Sequence, residues 1–434
     1  MKKRLLIYAH YYHPDVASTG QILKELAEGM LEEFKITVIC VVPSYTGVIS
    51  PEYKEKNYYF EEINGVEIVR VRVSEFSKTN KISRIKNIVT YFVKSILVTF
   101  KVGKQDYIFS ISQPPILGGL LGIFGKWIKK AKYIYNIQDF NPEQTIAVNY
   151  SKNKIILKLM LVLDKFSCKQ ADKVIVVGRD MIETLESRFR LSDGSISKRI
   201  PSYSCINNWS NENEIYPLNP DNEGVVAFKK KYGLENKFVI MYSGNIGLYY
   251  DLENLIKVIA IFKNEKDVVF AFVGEGTVLN GLKKYKEQNN LENIIFIPYQ
   301  EKAELIYSLN AGDVHWVVNA KGIKGVSVPS KLYGVMAAGK PVLGVLDNES
   351  EARLIIEESN CGYVTEPGNY EEVENIIRRL INESATNKLD EASNNGRKYL
   401  VNHLTKQISI KKYIEEIRSL DQETIVERKT IYDQ

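Results

Sequence analysis

Cysteine is scarce. The chain has four in 434 residues, at 40, 168, 205 and 361, far apart and with no CxxC pair. That excludes a disulfide scaffold and a cysteine zinc site, and it fits a reducing compartment. Histidine is equally rare, at four. An excess of one charge is also missing. Lys and Arg number 58 against 53 Asp and Glu, a net +5, too mild for a nucleic-acid binder but enough for weak attraction to anionic surfaces or phosphate ligands. Long apolar runs are absent too. The longest, Ile116 to Phe124, covers about nine residues, whereas a membrane span takes about 20. The apolar run after Met1-Lys2-Lys3-Arg4 is too short for a signal peptide. These absences predict a cytoplasmic protein without a transmembrane helix, and they leave peripheral contact with a membrane open.

The rest of the composition, 44% hydrophobic and 26% charged, is that of a globular protein. The length predicts about two to four domains. The chain alternates apolar strand patterns with helical ones. Leu5–Tyr8, Ile36–Val42, Glu67–Val73, Tyr107–Ile111, Tyr133–Ile137 and Lys173–Val177 read as strands. Ile22–Leu31, Ile82–Val102, Leu117–Ile128 and Lys154–Cys168 read as helices. All-apolar Val/Ile strands imply a parallel sheet covered on both faces. Prolines and Asn/Ser/Glu break the pattern from residue 201, and a second alternation opens at Phe238–Tyr242. The predicted fold class is α/β, with two Rossmann-like doubly wound domains facing a central cleft. Their bounds are 1–205 and 223–399, with a linker at 206–222 and a terminal helix over 400–420 that packs back on the first domain. The polar stretch from Asp421 to Gln434 is expected to fray.

In such folds ligands bind at the carboxyl ends of the strands, so the loops there carry the information. His10 to Gly20 places small residues, Thr19 and Gly20 among them, before a helix, where backbone N–H groups can reach an anion. His10 and His13 are the histidines on that loop. Ser243-Gly244-Asn245-Ile246-Gly247 follows the first strand of the second domain and offers a similar turn, although it is neither a GxGxxG nor a P-loop. Gly274-Glu275-Gly276 ends the next strand. In Pro329-Ser330-Lys331, Ser330 can cap a short helix while Lys331 sits in its first turn, where the helix dipole disfavours a cation. A lysine there calls for an anionic ligand. Asp139, in Gln138-Asp139-Phe140-Asn141-Pro142-Glu143, follows a first-domain strand and faces the cleft; the same residue also serves as a local turn former.

Those segments, together with Ala171-Asp172-Lys173-Val174, Ala311-Gly312-Asp313-Val314, the run from Pro329 to Gly339-Lys340-Pro341-Val342 and Cys361-Gly362-Tyr363-Val364, occur in one order along nearly the whole chain. In this the chain resembles the family 4 glycosyltransferases of the GT-B fold, in the WbuB- and WcaI-like branch that assembles surface polysaccharides. The resemblance implies a retaining transferase that uses a nucleotide-sugar, UDP-linked by preference, and needs no metal or cofactor; the chain has no DxD motif. It further implies an undecaprenyl-diphosphate-linked glycan acceptor, work at the inner face of the cytoplasmic membrane, and a place in O-antigen, capsule or exopolysaccharide synthesis. Sugar transfer builds negative charge on a departing phosphate, to be met by oriented N–H groups and a cation. Gly20, Gly244, Asn245, Gly247 and Lys331 suit that task. Thr19, Glu275 and Ser330 complete the predicted substrate-binding set, and Asp139 and His13 are the predicted catalytic residues.

The chain departs from the family pattern twice. The two glutamates with seven residues between them are replaced by Val326 and Gly334, which either shifts ribose binding elsewhere, with Glu351 the candidate, or marks the subgroup. The Arg and Lys expected near Asn245 are absent, which leaves Lys331 to neutralise the diphosphate. Basic amphipathic stretches at Ile82–Lys104 and around Trp127 are candidates for the membrane surface. Two other readings use the same architecture: a UDP-sugar 2-epimerase, which would turn over donor without acceptor, and a non-catalytic scaffold.

Overall fold

The structure, a computed structural model, describes residues 2–15, 18–77, 80–148 and 150–432. Val16 and Ala17 of the first cleft loop lie outside the described residues, as do the last two of the segment expected to fray. The first sheet has eight strands in the order Tyr58–Ile63, Val66–Val71, Phe34–Val41, Lys3–Tyr8, Tyr107–Ile111, Lys132–Ile137, Lys173–Val176 and Ser202–Cys205. The second has six, Ile294–Ile297, Val268–Val273, Phe238–Ser243, Val314–Val318, Val342–Val345 and Gly362–Thr365, all parallel. In each sheet the first strand lies in the interior, and strand order reverses beside it. That switch point opens a crevice at the strand carboxyl ends.

Two edges differ from the sequence reading. Tyr58–Ile63 pairs antiparallel with Val66–Val71 through Asn64-Gly65, both at positive φ, the chemistry of a tight hairpin. Ser202–Cys205, just after Pro201, pairs with Lys173–Val176 and closes the far edge of the sheet. The helix Lys406–Tyr432 also runs through the segment expected to fray. Near that point Asp421 accepts from Tyr107 Oη at 2.6 Å and pairs with Lys3 Nζ at 2.5 Å. Residues 400–403, expected at the start of the terminal helix, instead close the preceding helix Lys388–His403.

The terminal helix lies on the first sheet, where Ile410, Tyr413 and Ile417 join Leu26 and Met30 of the helix Ser18–Gly29 in one core. The opposite face is covered by Lys81–Thr99, Leu117–Lys129 and Lys154–Gln170, side by side. Asn80 and Asn153 cap the outer two through their side-chain oxygens. This face of the sheet is rich in tyrosine, and the helices turn polar residues toward it. Tyr8 bonds Thr99 at 2.7 Å and Tyr135 donates to Asp164 at 2.7 Å.

Candidate active site

The two crevices face each other and enclose a cavity of about 230 Å³. From the first domain it is lined by Thr19, Ile22, Gln113, Gln138, Asp139 and Gln144, and from the connecting segment by Asn208. The second domain contributes Asn245, Tyr249, Tyr250, Asn319 and residues 327–330. Backbone bonds close the seam beside it. Phe140 N donates to Val326 O at 2.9 Å, and Asp139 bridges to Ser327. A wider depression of about 580 Å³ lies at the end of the strand Gly362–Thr365, and none of the predicted site residues lines it.

Asp139 is the carboxylate among the cavity's lining residues. Gln144 donates to one oxygen at 3.1 Å and Gln113 to the other at 3.4 Å. Burial raises its pKa to about 6 despite those bonds. Its loop is held from behind by Arg188, which donates to Asn141 O at 3.0 Å, pairs with Glu143 at 2.7 Å and with buried Asp164, and stacks on Phe140. Removing one member of a buried network strands the others' charges. Arg188→Met should therefore cost about 3–5 kcal/mol, read by urea denaturation. Adding Asp164→Asn should recover part of the loss.

Lys331 opens the helix Lys331–Ala337. Its stem passes under the Gly244 turn: a Cβ built on Gly244 would meet Lys331 Cε at 2.7 Å, and φ there is +140°. A glycine suits both demands. The ammonium rests on the ring of Tyr250, 3.4 Å from its centroid, and 5.0 Å from that of Tyr242. Cation–π contact offsets part of the cost of desolvation. No carboxylate pairs with it among the described residues, and burial alone lowers its pKa to about 7. In the protein itself aromatic faces, and no anion among the described residues, stand against the ammonium.

The other predicted residues divide. Thr19, Asn245 and Ser330 line the cavity with Asp139. Thr19 donates to Gln113 at 2.9 Å, while the Ser330 side chain makes no capping bond. Gly20 sits against Tyr11 O, where a Cβ would come within 3.1 Å. Gly247 leads into the turn bearing Tyr249 and Tyr250. Glu275 is exposed and contributes its carbonyl to Ile246 N at 2.8 Å. His13 is exposed, lies near Lys24 and Arg70, and does not line the cavity; desolvation and those cations lower its pKa. Glu351 is buried at the domain seam and engaged there. Arg179 N and Nε reach one oxygen at 2.8 and 2.9 Å, and Asn207 the other at 2.8 Å. Both its oxygens thus hold the seam together, and Glu351 is not among the residues that line the cavity. Val326 is buried in the first domain's core.

Gln113, Asn208, Tyr249, Tyr250 and Asn319 were not singled out from sequence. Gln113 and Asn319 each lie just past a strand carboxyl end, the position that marked Asp139. The two tyrosines gain their role only when the turn folds over Lys331.

Residues 226–399 match the family described as glycosyl transferases group 1. Over 96% of this chain and 98% of its own length, the probable glycosyltransferase WbjE of Pseudomonas aeruginosa is 26% identical. The putative colanic acid biosynthesis glycosyl transferase WcaI of Escherichia coli is 23% identical over 96% of this chain and all of its own. Among solved structures, sucrose-phosphate synthase of Thermosynechococcus elongatus superposes with a TM-score of 0.76 at 14% identity, covering 97% of this chain and 100% of that one. Anabaena HepE, solved with UDP-glucose, superposes at 0.67 with 14% identity, covering 96% and 99%. These structures share the two-domain GT-B fold with the present one.

Proposed function

We propose that this GT-B glycosyltransferase of polysaccharide assembly, which resembles the family 4 enzymes, moves a sugar with retention from a UDP-sugar to an undecaprenyl-diphosphate-linked glycan. The setting is the cytoplasmic face of the inner membrane, and the product feeds O-antigen, capsule or exopolysaccharide. The observation that carries the donor side is the placement of an ammonium, Lys331, and a carboxylate, Asp139, on the two sides of the cleft. One side of the cavity is lined by Tyr250, on whose ring a desolvated ammonium rests with no carboxylate beside it among the described residues. The other has a carboxylate of pKa about 6. A departing diphosphate needs the first, and a sugar developing positive charge at C1 is stabilised by the second. Asn245 and Ser330 line the same wall as the Lys331 helix and are placed to orient the phosphates. The UDP-glucose held by HepE supports UDP as the nucleotide. With Lys331 as the cation, turnover is expected without added metal.

A UDP-sugar 2-epimerase would need several acid/base groups converging on C2, whereas the cavity lining offers one carboxylate. The test is incubation with UDP- and GDP-sugars, with and without a synthetic undecaprenyl-diphosphate-sugar, in EDTA, followed by NMR of the anomeric carbon. Acceptor-dependent transfer with retention supports the reading, and an inverted product overturns its mechanism. Donor conversion without acceptor favours the epimerase. No turnover with any pair favours a scaffold.

A further inference from the structure

The two outer helices on the first domain are amphipathic in the reverse sense. In Lys81–Thr99 the buried positions include Asn87, Ser95 and Thr99, while Ile82, Ile85, Val89, Val93 and Leu97 are exposed, Ile82 at 79%. Their spacing of three and four residues makes one stripe on the outer side. In Lys154–Gln170 the buried positions are Asp164, Ser167 and Cys168, and Ile155, Leu159, Val162 and Phe166 face out, Ile155 at 81%. The middle helix, Leu117–Lys129, lies between them and adds exposed Trp127. Exposed apolar residues in single positions are ordinary; two parallel stripes on neighbouring helices form a patch that marks an interaction surface.

Charge identifies the occupant. These three helices hold ten Lys and Arg and one acidic residue, Asp164, and Asp164 is buried against Arg188. The whole chain is only +5, so positive charge is concentrated here. Apolar stripes flanked by lysine, with no exposed carboxylate, match the interface of an anionic bilayer. A second copy of the chain would instead bring two such basic faces together. The patch also reaches the cleft. Lys81, at the start of the first helix, lies over the ring of exposed Tyr150 at 5.6 Å, and Tyr150 N donates to the carbonyl of Thr145 at 3.0 Å, next in the chain to Gln144 of the cavity lining.

We infer that the outer face of Lys81–Thr99, Leu117–Lys129 and Lys154–Gln170 is a membrane-docking surface that seats the protein on anionic lipid with its cleft mouth at the bilayer. This deepens the proposed function and rests on it for the lipid-linked acceptor.

The test is flotation of the full chain with vesicles of equal parts phosphatidylglycerol and phosphatidylcholine, and with phosphatidylcholine alone. UDP-induced thermal shift is measured in parallel. The wild type should float with the anionic vesicles at low salt and release as ionic strength rises. Each buried aliphatic side chain is worth about a tenfold change in partition, so I155D/L159D should lower the bound fraction by about that factor or more. K154E/K158E should lower binding to anionic vesicles and leave the weak binding to neutral ones unchanged. Both variants should keep the wild-type UDP shift, which separates a failed surface from a failed fold or a failed donor site. A wild type that stays unbound at low salt, or an I155D/L159D variant that floats as well as wild type, overturns the inference. So does a wild-type dimer that I155D/L159D converts to monomer while vesicle binding persists.

Discussion

Lys331→Met is expected to abolish the thermal shift that UDP gives the wild-type protein while raising the melting temperature of the ligand-free protein. Both effects have one cause. The folded protein holds the amine near pKa 7 by burial, whereas an unfolded chain leaves it near 10.4. Between those values the unfolded state binds more protons, so native stability rises with pH there, and below about 7 the folded state bears the full cost of the buried charge. Methionine fills similar space without that cost. The gain should be greatest at pH 7 and below and fade toward pH 10, with each kcal/mol recovered worth about 2–4 °C. The binding loss should be large, because the diphosphate loses its cation. A ligand at 100 times its Kd raises stability by about 2.7 kcal/mol, and that increment should vanish. Proton linkage gives an independent check. In wild type, bound diphosphate should draw a proton onto Lys331, so UDP affinity should fall by about tenfold per pH unit above 7. Calorimetry in buffers of different ionisation enthalpy should detect proton uptake. A Lys331→Met variant that keeps the UDP shift would remove the amine from the donor site.

Asp139→Asn should leave nucleotide binding intact and lower kcat by about 10²–10⁴. The wild-type carboxyl, raised to about 6, is protonated below that pH, so kcat/KM should fall on the acid side with an apparent pKa near 6. The variant's residual rate should lack that limb. Stability moves the other way. Between about 3.8 and 6 the folded state holds the extra proton, so native stability falls as pH rises through that window and the cost is complete above 6. The variant should thus be the more stable protein at pH 7, by a margin that shrinks as pH falls below 6. Since Gln113 and Gln144 both present donors to the carboxylate, one amide must reorient to suit the asparagine, and a crystal structure of the variant would show which. Wild-type kcat in Asp139→Asn would rule the carboxylate out of the chemistry.

The alternation of Val/Ile runs with helical patterns was sufficient to read two doubly wound domains, because burial on both sheet faces leaves a strong composition signal. Asp139 and Asn245 were legible because each follows a strand toward the cleft, and Ser330 because it stands just before the helix that Lys331 opens. The partner of Lys331 was not legible, since Tyr242 and Tyr250 meet it only after the Gly244 turn folds the chain back. The role of Glu351 at the domain seam was not legible either, because a sequence does not show Arg179 and Asn207, more than a hundred positions away, binding its carboxylate. The helices of the first domain show the limit of periodicity most plainly. A period of 3.6 reveals that two faces differ, and here the tyrosine hydroxyls of the sheet decided that the polar face turned inward. The hairpin at Asn64-Gly65, by contrast, was written in the sequence as an Asn-Gly pair between apolar runs.

The helix that follows the second domain also bears on the order of synthesis. Tyr413 receives a bond from Asn136 at 3.0 Å, Glu416 pairs with Lys173 at 2.6 Å, and Ile410 and Ile417 fill the first domain's core. Tyr413, Glu416, Ile410 and Ile417 all leave the ribosome after the second sheet has been made. The domain translated first is therefore the one completed last, and its unfinished face stays open to chaperones or aggregation throughout translation of the second. A stop codon in place of Lys406 would leave the second domain's core whole, Leu400 and Leu404 included, and yet strike the stability of the first domain.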